Sequence, residues 1–104
     1  MYVIVWEFRA KAEFEQEFEK AYGSNGDWVN FFKLGQGHIN TRLLSDADKA
    51  RTYVTMDYWI SQNDFEMFKS KMKKEYEQLD KQFEKLTEQE TFIGAFTVEN
   101  TKDK

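Results

Sequence analysis

The stretch RTYVTMDYWISQNDFEMF, Arg51 to Phe68, decides how the rest of the chain is arranged. Its first half is β-branched and aromatic and reads as a strand ending on Tyr58 and Trp59. Its second half begins a helix. Ser61 followed by Asp64 resembles a capping box with Asp in the usual Glu position. Beyond the cap, Phe65, Phe68, Met72, Tyr76, Leu79, Phe83 and Leu86 recur at spacings of three and four, which predicts helix to about Leu86. Such a helix would be roughly 37 Å long if straight, whereas an eight-residue strand spans about 26 Å. The helix is therefore expected to overhang the sheet or to break, near Lys73–Glu75 where apolar positions thin out.

Working outward, Arg51–Trp59 pairs by expectation with His38–Ser45 through the polar loop Asp46–Ala50. Strict alternation places Ile39, Thr41 and Leu43 on one face of the first strand and His38, Asn40, Arg42 and Leu44 on the other. It sets Thr52, Val54, Met56 and Tyr58 opposite Tyr53, Thr55, Asp57 and Trp59. The loop leaves the pairing parity of the two strands open, and with it whether His38 and Asp57 share a face. Tyr2–Arg9 is a further strand, apolar on both faces over its first half and so expected to be central. Lys11–Tyr22 has helical periodicity, broken by Gly23-Ser24-Asn25-Gly26. Asp27 is placed to cap a short helix Trp28–Leu34, and Phe92–Glu99 supplies the last strand.

The order β-α-β-β-α-β predicts an α+β, ferredoxin-like split βαβ fold with an antiparallel sheet and both main helices on one face. The chain of 104 residues is read as one domain, residues 1–99, followed by a polar tail at 100–104 expected to fray. Either sheet face is too apolar to remain in water, so the expected partner is a second copy, sheet against sheet.

Composition narrows the function classes. The net charge of −4 and the absence of a basic stripe speak against nucleic acid; Lys69, Lys71, Lys73 and Lys74 alternate with glutamates as on a solvated helix face. No cysteine is present, which removes disulfides and thiolate sites. The apolar start is too short for a signal peptide, and no run approaches the length of a membrane span, so a cytoplasmic protein without membrane contact is expected. Asp46 and Asp48 are too few for calcium, and no phosphate-binding glycine loop occurs. Neither metal nor organic cofactor is expected.

The segments YVIVWEFRAK, FEKAYGSNGDWVNFF, MDYWISQNDFEMF, YEQLDKQFEKLTEQE and IGAF together resemble the antibiotic-biosynthesis-monooxygenase-like proteins of the dimeric α+β barrel superfamily, over Met1 to Val98. The resemblance implies a small cytosolic dimer with a pocket between sheet and helices. It also implies a reaction class, oxygenation of aromatic or phenolic compounds, which some members perform without a cofactor. Haem-degrading relatives use an Asn on the first strand, and a Trp and a haem-ligating His on the second main helix. Here Glu7 takes the strand position, and Ser61–Leu86 contains neither Trp nor His, which argues against haem.

Three residues are candidate bases. His38 is the single histidine, suited to proton transfer near neutrality or simply half-exposed at a strand start. Glu7 and Asp57 are carboxylates in apolar strands: either burial raises their pKa, or they pair with Arg9, Arg42 or Arg51 across the sheet. Trp6, Trp28, Tyr58, Trp59 and Tyr76 are candidates to line a pocket for a flat aromatic ligand, and Tyr53 belongs to the same set. Each also suits core or interface packing. The resemblance implies a cofactor-independent monooxygenase acting on a small aromatic or phenolic compound, which these residues permit; the alternative is a non-catalytic dimeric protein that binds a small ligand or serves in stress response.

Overall fold

Strand β1 (Tyr2–Ala10) runs through the middle of a four-stranded antiparallel sheet, with β3 (Thr52–Trp59) on one side and β4 (Thr87–Thr97) on the other. Strand β2 (His38–Ser45) completes the order β2-β3-β1-β4. The computed structural model describes residues 1–99; the tail at 100–104, expected to fray, lies outside the described residues. Four α-helices cover one face: α1 (Glu15–Tyr22), α2 (Asp27–Phe32), α3 (Gln62–Lys71) and α4 (Lys73–Phe83). Short 3-10 turns precede α1 and follow α4. Among the described residues, no helix is long and apolar enough to cross a membrane.

The long helix expected after Ser61 is broken. Met72 leaves helical geometry at φ −109° and ψ 28°, one residue before the stretch where apolar positions thin out. Met72 packs against the core, so α3 and α4 each turn an apolar stripe to the sheet where one straight rod would overhang it. The junction at Trp59 forms as the sequence predicts. The Ser61 side chain accepts a hydrogen bond from the Asp64 amide at 3.1 Å. Two boundaries differ from expectation. Gly26, not Asp27, occupies the N-cap of α2, and Asp27 lies in its first turn. Strand β4 begins at Thr87, five residues before the apolar run, because TEQET pairs with the second half of β1 although it is polar.

Cross-strand partners share a face, so the register assigns each paired side chain to a face. Tyr2, Ile4, Trp6 and Phe8 meet Trp59, Asp57, Thr55 and Tyr53 on the face under the helices. The core there is built from rings: Phe18 stacks on Tyr22 at 4.4 Å, and Phe8 meets Tyr22 at 4.8 Å. Trp59 is fully buried and stands edge-on to Phe32, His38 and Phe65. The opposite face carries Val3, Val5 and Glu7 beside Tyr58, Met56 and Val54, with Leu44 and Phe96 exposed at its margins.

Both edge strands contain a bulge. In β2, His38 pairs with Trp59 and Asn40 with Tyr58, leaving Ile39 as an extra residue. In β4, Gly94 pairs with Val5 and Phe92 with Trp6, leaving Ile93 extra; Gly94 has φ +156°. A bulge reverses the alternation beyond it. His38 therefore joins Thr41 under the helices, and Phe92 and Glu90 join that same face from the other edge.

Candidate functional site

A cavity of about 250 Å³ opens between the sheet and the helices. Its floor is Trp6 and Phe8 of β1, Thr41 of β2, Thr55 and Asp57 of β3, and Glu90 of β4. Its roof is Tyr22 of α1, Trp28 and Phe32 of α2, Lys69 of α3, and Tyr76 and Asp80 of α4. The Lys69 ammonium lies over the Tyr76 ring, 5.3 Å from its centroid. The walls are thus mostly flat and aromatic, with a few polar groups converging among them, as in small-molecule sites generally.

Asp57 is the central polar group. The sequence left it free to pair with an arginine, but both arginines that form ion pairs turn elsewhere: Arg51 lies 3.2 Å and Arg9 3.8 Å from Glu88. Asp57 instead accepts a hydrogen bond from the Thr41 hydroxyl at 2.7 Å. Burial without a cation pushes its carboxyl up to about 6, and the Thr41 bond offsets only part of that shift. Burial together with the Asp57 charge raises the Tyr76 phenol. Burial likewise raises Asp80 and Glu90, each also facing the Glu84 charge. Three carboxyls in one cavity are therefore held toward their neutral forms.

The bulge in β2 brings His38 to this network. Its Nε2 lies 3.0 Å from Thr41 Oγ1, linking imidazole, hydroxyl and carboxylate in one chain. Burial, and then the charge of Lys33, lowers the His38 pKa below its ordinary value. Its Nδ1 is buried without a hydrogen-bond partner among the described residues.

Of the residues singled out from the sequence, Asp57, Trp6, Trp28 and Tyr76 line the cavity, and His38 reaches it through Thr41. Trp59 lies behind it in the core, packed against His38 at 5.2 Å. Tyr53 is buried, and its hydroxyl bonds to Glu15 and Glu19 on α1. Glu7 and Tyr58 are on the opposite sheet face, where Glu7 pairs with Val54 and Tyr58 with Val3. The structure thus brings Asp57 and His38 together and leaves Glu7 apart. Sequence reasoning missed Thr41, Asp80, Glu90 and Lys69. Asp80 and Tyr76 are four apart on one helix, a spacing that puts both on one face and could have flagged the first. Among the described residues no group of three or more His, Cys, Asp or Glu could hold a metal ion.

Comparison with known proteins agrees with this architecture. The family described as antibiotic biosynthesis monooxygenase matches residues 1–71. No curated protein matches the chain. Among solved structures, the N63A mutant of SnoaB, a cofactor-independent oxygenase from Streptomyces nogalater, superposes with a TM-score of 0.71 at 22% identity, covering 99% of this chain and 97% of that one. A Deinococcus radiodurans structure gives a TM-score of 0.73 at 10% identity, covering 99% and 97%. A Pseudomonas aeruginosa structure, PA3566, gives 0.61 at 9%, covering 96% and 93%. At these identities the likeness is one of fold.

Proposed function

We propose, from the premise that this chain belongs to the antibiotic biosynthesis monooxygenase family, that it oxygenates a small aromatic or phenolic compound in the cavity between sheet and helices. The observation that carries the reading is Asp57: a carboxylate without a cation, at the floor of an aromatic-walled pocket, with its pKa pushed up to about 6.

Magnitudes make this group a useful base. A phenol titrates near 10, so its proton moves to an ordinary aspartate at a cost of about 8 kcal/mol. A carboxylate near 6 lowers that cost to about 5 kcal/mol while staying ionised at neutral pH. The resulting anion is electron-rich. It passes an electron to dioxygen, the two radicals combine at a ring carbon, and a C–O bond forms. Uptake of a proton and loss of the C–H proton from that carbon break the O–O bond. One oxygen atom remains as a carbonyl, and the other leaves as water. Trp6, Trp28 and Tyr76 supply faces for a flat ring and keep water from the intermediate. No step requires a metal or flavin.

The test is oxygen consumption with phenols and hydroquinones, without added metal or flavin. Asp57→Asn should lower kcat by about 10²-fold or more, and wild-type kcat should fall on the acid side through pH about 6. Turnover surviving the combined replacement of Glu7, His38 and Asp57 by Ala would sink the residue assignment. The second reading is a non-catalytic protein that holds a small aromatic ligand; binding without oxygen uptake would favour it. The polar, pKa-shifted floor supports the enzyme, since simple retention of an apolar ligand has no use for a buried carboxylate.

The apolar sheet face opposite the helices supports a homodimer, with two sheets packed face to face.

A further inference from the structure

The hydrogen-bond chain at the cavity floor has a direction that follows from counting protons. Thr41 has one hydroxyl proton and gives it to Asp57 Oδ1 at 2.7 Å. Toward His38 it can then only accept, so the 3.0 Å contact requires a proton on His38 Nε2. When the imidazole is neutral, its Nδ1 is bare. That atom is buried and has no hydrogen-bond partner among the described residues. An unpaired buried nitrogen is costly, and nothing in the packing of Trp59 and Phe32 against the ring calls for it.

We infer that His38, Thr41 and Asp57 form a proton relay, in which Thr41 passes a proton from the imidazole to the pocket carboxylate and is the positioning residue for both. The step balances. The step starts from imidazolium, with a proton on each ring nitrogen. Nε2 gives its proton to Thr41 Oγ1, and Thr41 gives its own to Asp57 Oδ1. The products are a neutral imidazole with its proton on Nδ1 and a neutral carboxyl group. Every hydrogen bond is kept with its direction reversed, and no atom moves more than a proton's shift. This deepens the proposed oxygenation and rests on it for its use: the relay couples the protonation state of the pocket carboxylate, the base of that reaction, to the imidazole at the start of β2. Burial draws the imidazole down and the carboxyl up, and both shifts ease transfer of the proton from His38 to Asp57. Lys33 beside His38 favours the direction of flow toward Asp57, while Tyr76, Asp80, Glu90 and Lys69 face the carboxyl from the pocket.

The relay is readable without substrate, by ¹⁵N shifts of the His38 ring and the ¹³C shift of the Asp57 carboxyl across pH. In the wild-type protein, neutral His38 should carry its proton on Nε2 while Asp57 is ionised, and a population with the proton on Nδ1 should appear as Asp57 becomes protonated. Thr41→Ser should preserve this exchange. Thr41→Val should abolish it, so that His38 titrates without a change of tautomer. A wild-type His38 that stays protonated on Nε2 through the whole Asp57 titration would overturn the relay, as would a Thr41→Val protein that behaves like wild type. Should Thr41→Val fail to fold, the wild-type and Thr41→Ser spectra decide alone. Because no turnover is read, failure of the relay and failure of the oxygenase reading are separate results.

Discussion

Ile4 stands directly opposite Asp57 in the antiparallel register of β1 and β3. Its neighbour on the other side is Thr41, so neither flanking strand sets a cation opposite it, and Asp57 takes its hydrogen bond from the Thr41 hydroxyl. The carboxylate form is desolvated with little return, which is why its pKa moves up to about 6 from the unperturbed 3.8.

That shift has a thermodynamic sign. Between pH about 4 and 6 the folded state binds more protons at Asp57 than the unfolded state does, so stability falls as pH rises through this window. Above it, the penalty is constant and on the order of 3 kcal/mol. Asp57→Asn should therefore raise stability at neutral pH by roughly 1–3 kcal/mol and flatten the slope in the window. Urea unfolding at pH values on either side of the window checks this. The same variant should lose turnover, so the group is retained against stability.

Gly37 precedes His38 with φ +97°, and a Cβ there would lie 2.6 Å from Asp64 Cβ. Its carbonyl accepts the Ile60 amide at 2.7 Å, which ties the start of β2 to the Trp59 junction. Gly37→Ala should cost roughly 2–3 kcal/mol, through left-handed strain and the clash. Thermal unfolding measures the loss, and the His38 ring resonances should shift with it.

Ser61→Ala removes the oxygen that caps α3 at the Asp64 amide. The expected loss is about 1 kcal/mol in denaturant midpoint analysis, with an unchanged m-value. An unaltered midpoint would mean that Trp59 packing alone sets the helix start.

Val5 sits at the middle of the uncovered sheet face, between Met56 and Gly94. If that face is where two copies meet, Val5→Lys places two like charges across it and should convert dimer to monomer in sedimentation equilibrium. A wild-type protein that is monomeric at micromolar concentration would end the dimer proposal.

The strand–turn–helix at Trp59 and Ser61 was legible because each signal there is local: β-branched residues, a capping side chain, then apolar spacing of three and four. Strand β4 was half legible. Thr87–Thr91 is polar, and it extends only because β1 offers it a pairing edge, which is a tertiary cause. The site was the least legible part. Asp57 could be named from the sequence, but its face could not, since that depends on the register across the Asp46–Ala50 loop. Alternation set His38 on the face opposite Thr41, and the extra residue at Ile39 reverses that assignment. Glu90 escaped notice because it precedes the apolar run from which the last strand was read; the bulge at Ile93 then sets it on the helix-covered face.

Ile39 does not line the cavity, yet its presence as a surplus residue sets the orientation of the ring next to it in the chain. Removing it would leave every chemically active side chain in the protein and still turn the imidazole out of reach. The acid–base capacity of this pocket is thus encoded in strand length as much as in residue identity. Relatives that keep His, Thr and Asp but differ by one residue between the glycine turn and the threonine should be sorted into a different chemical class.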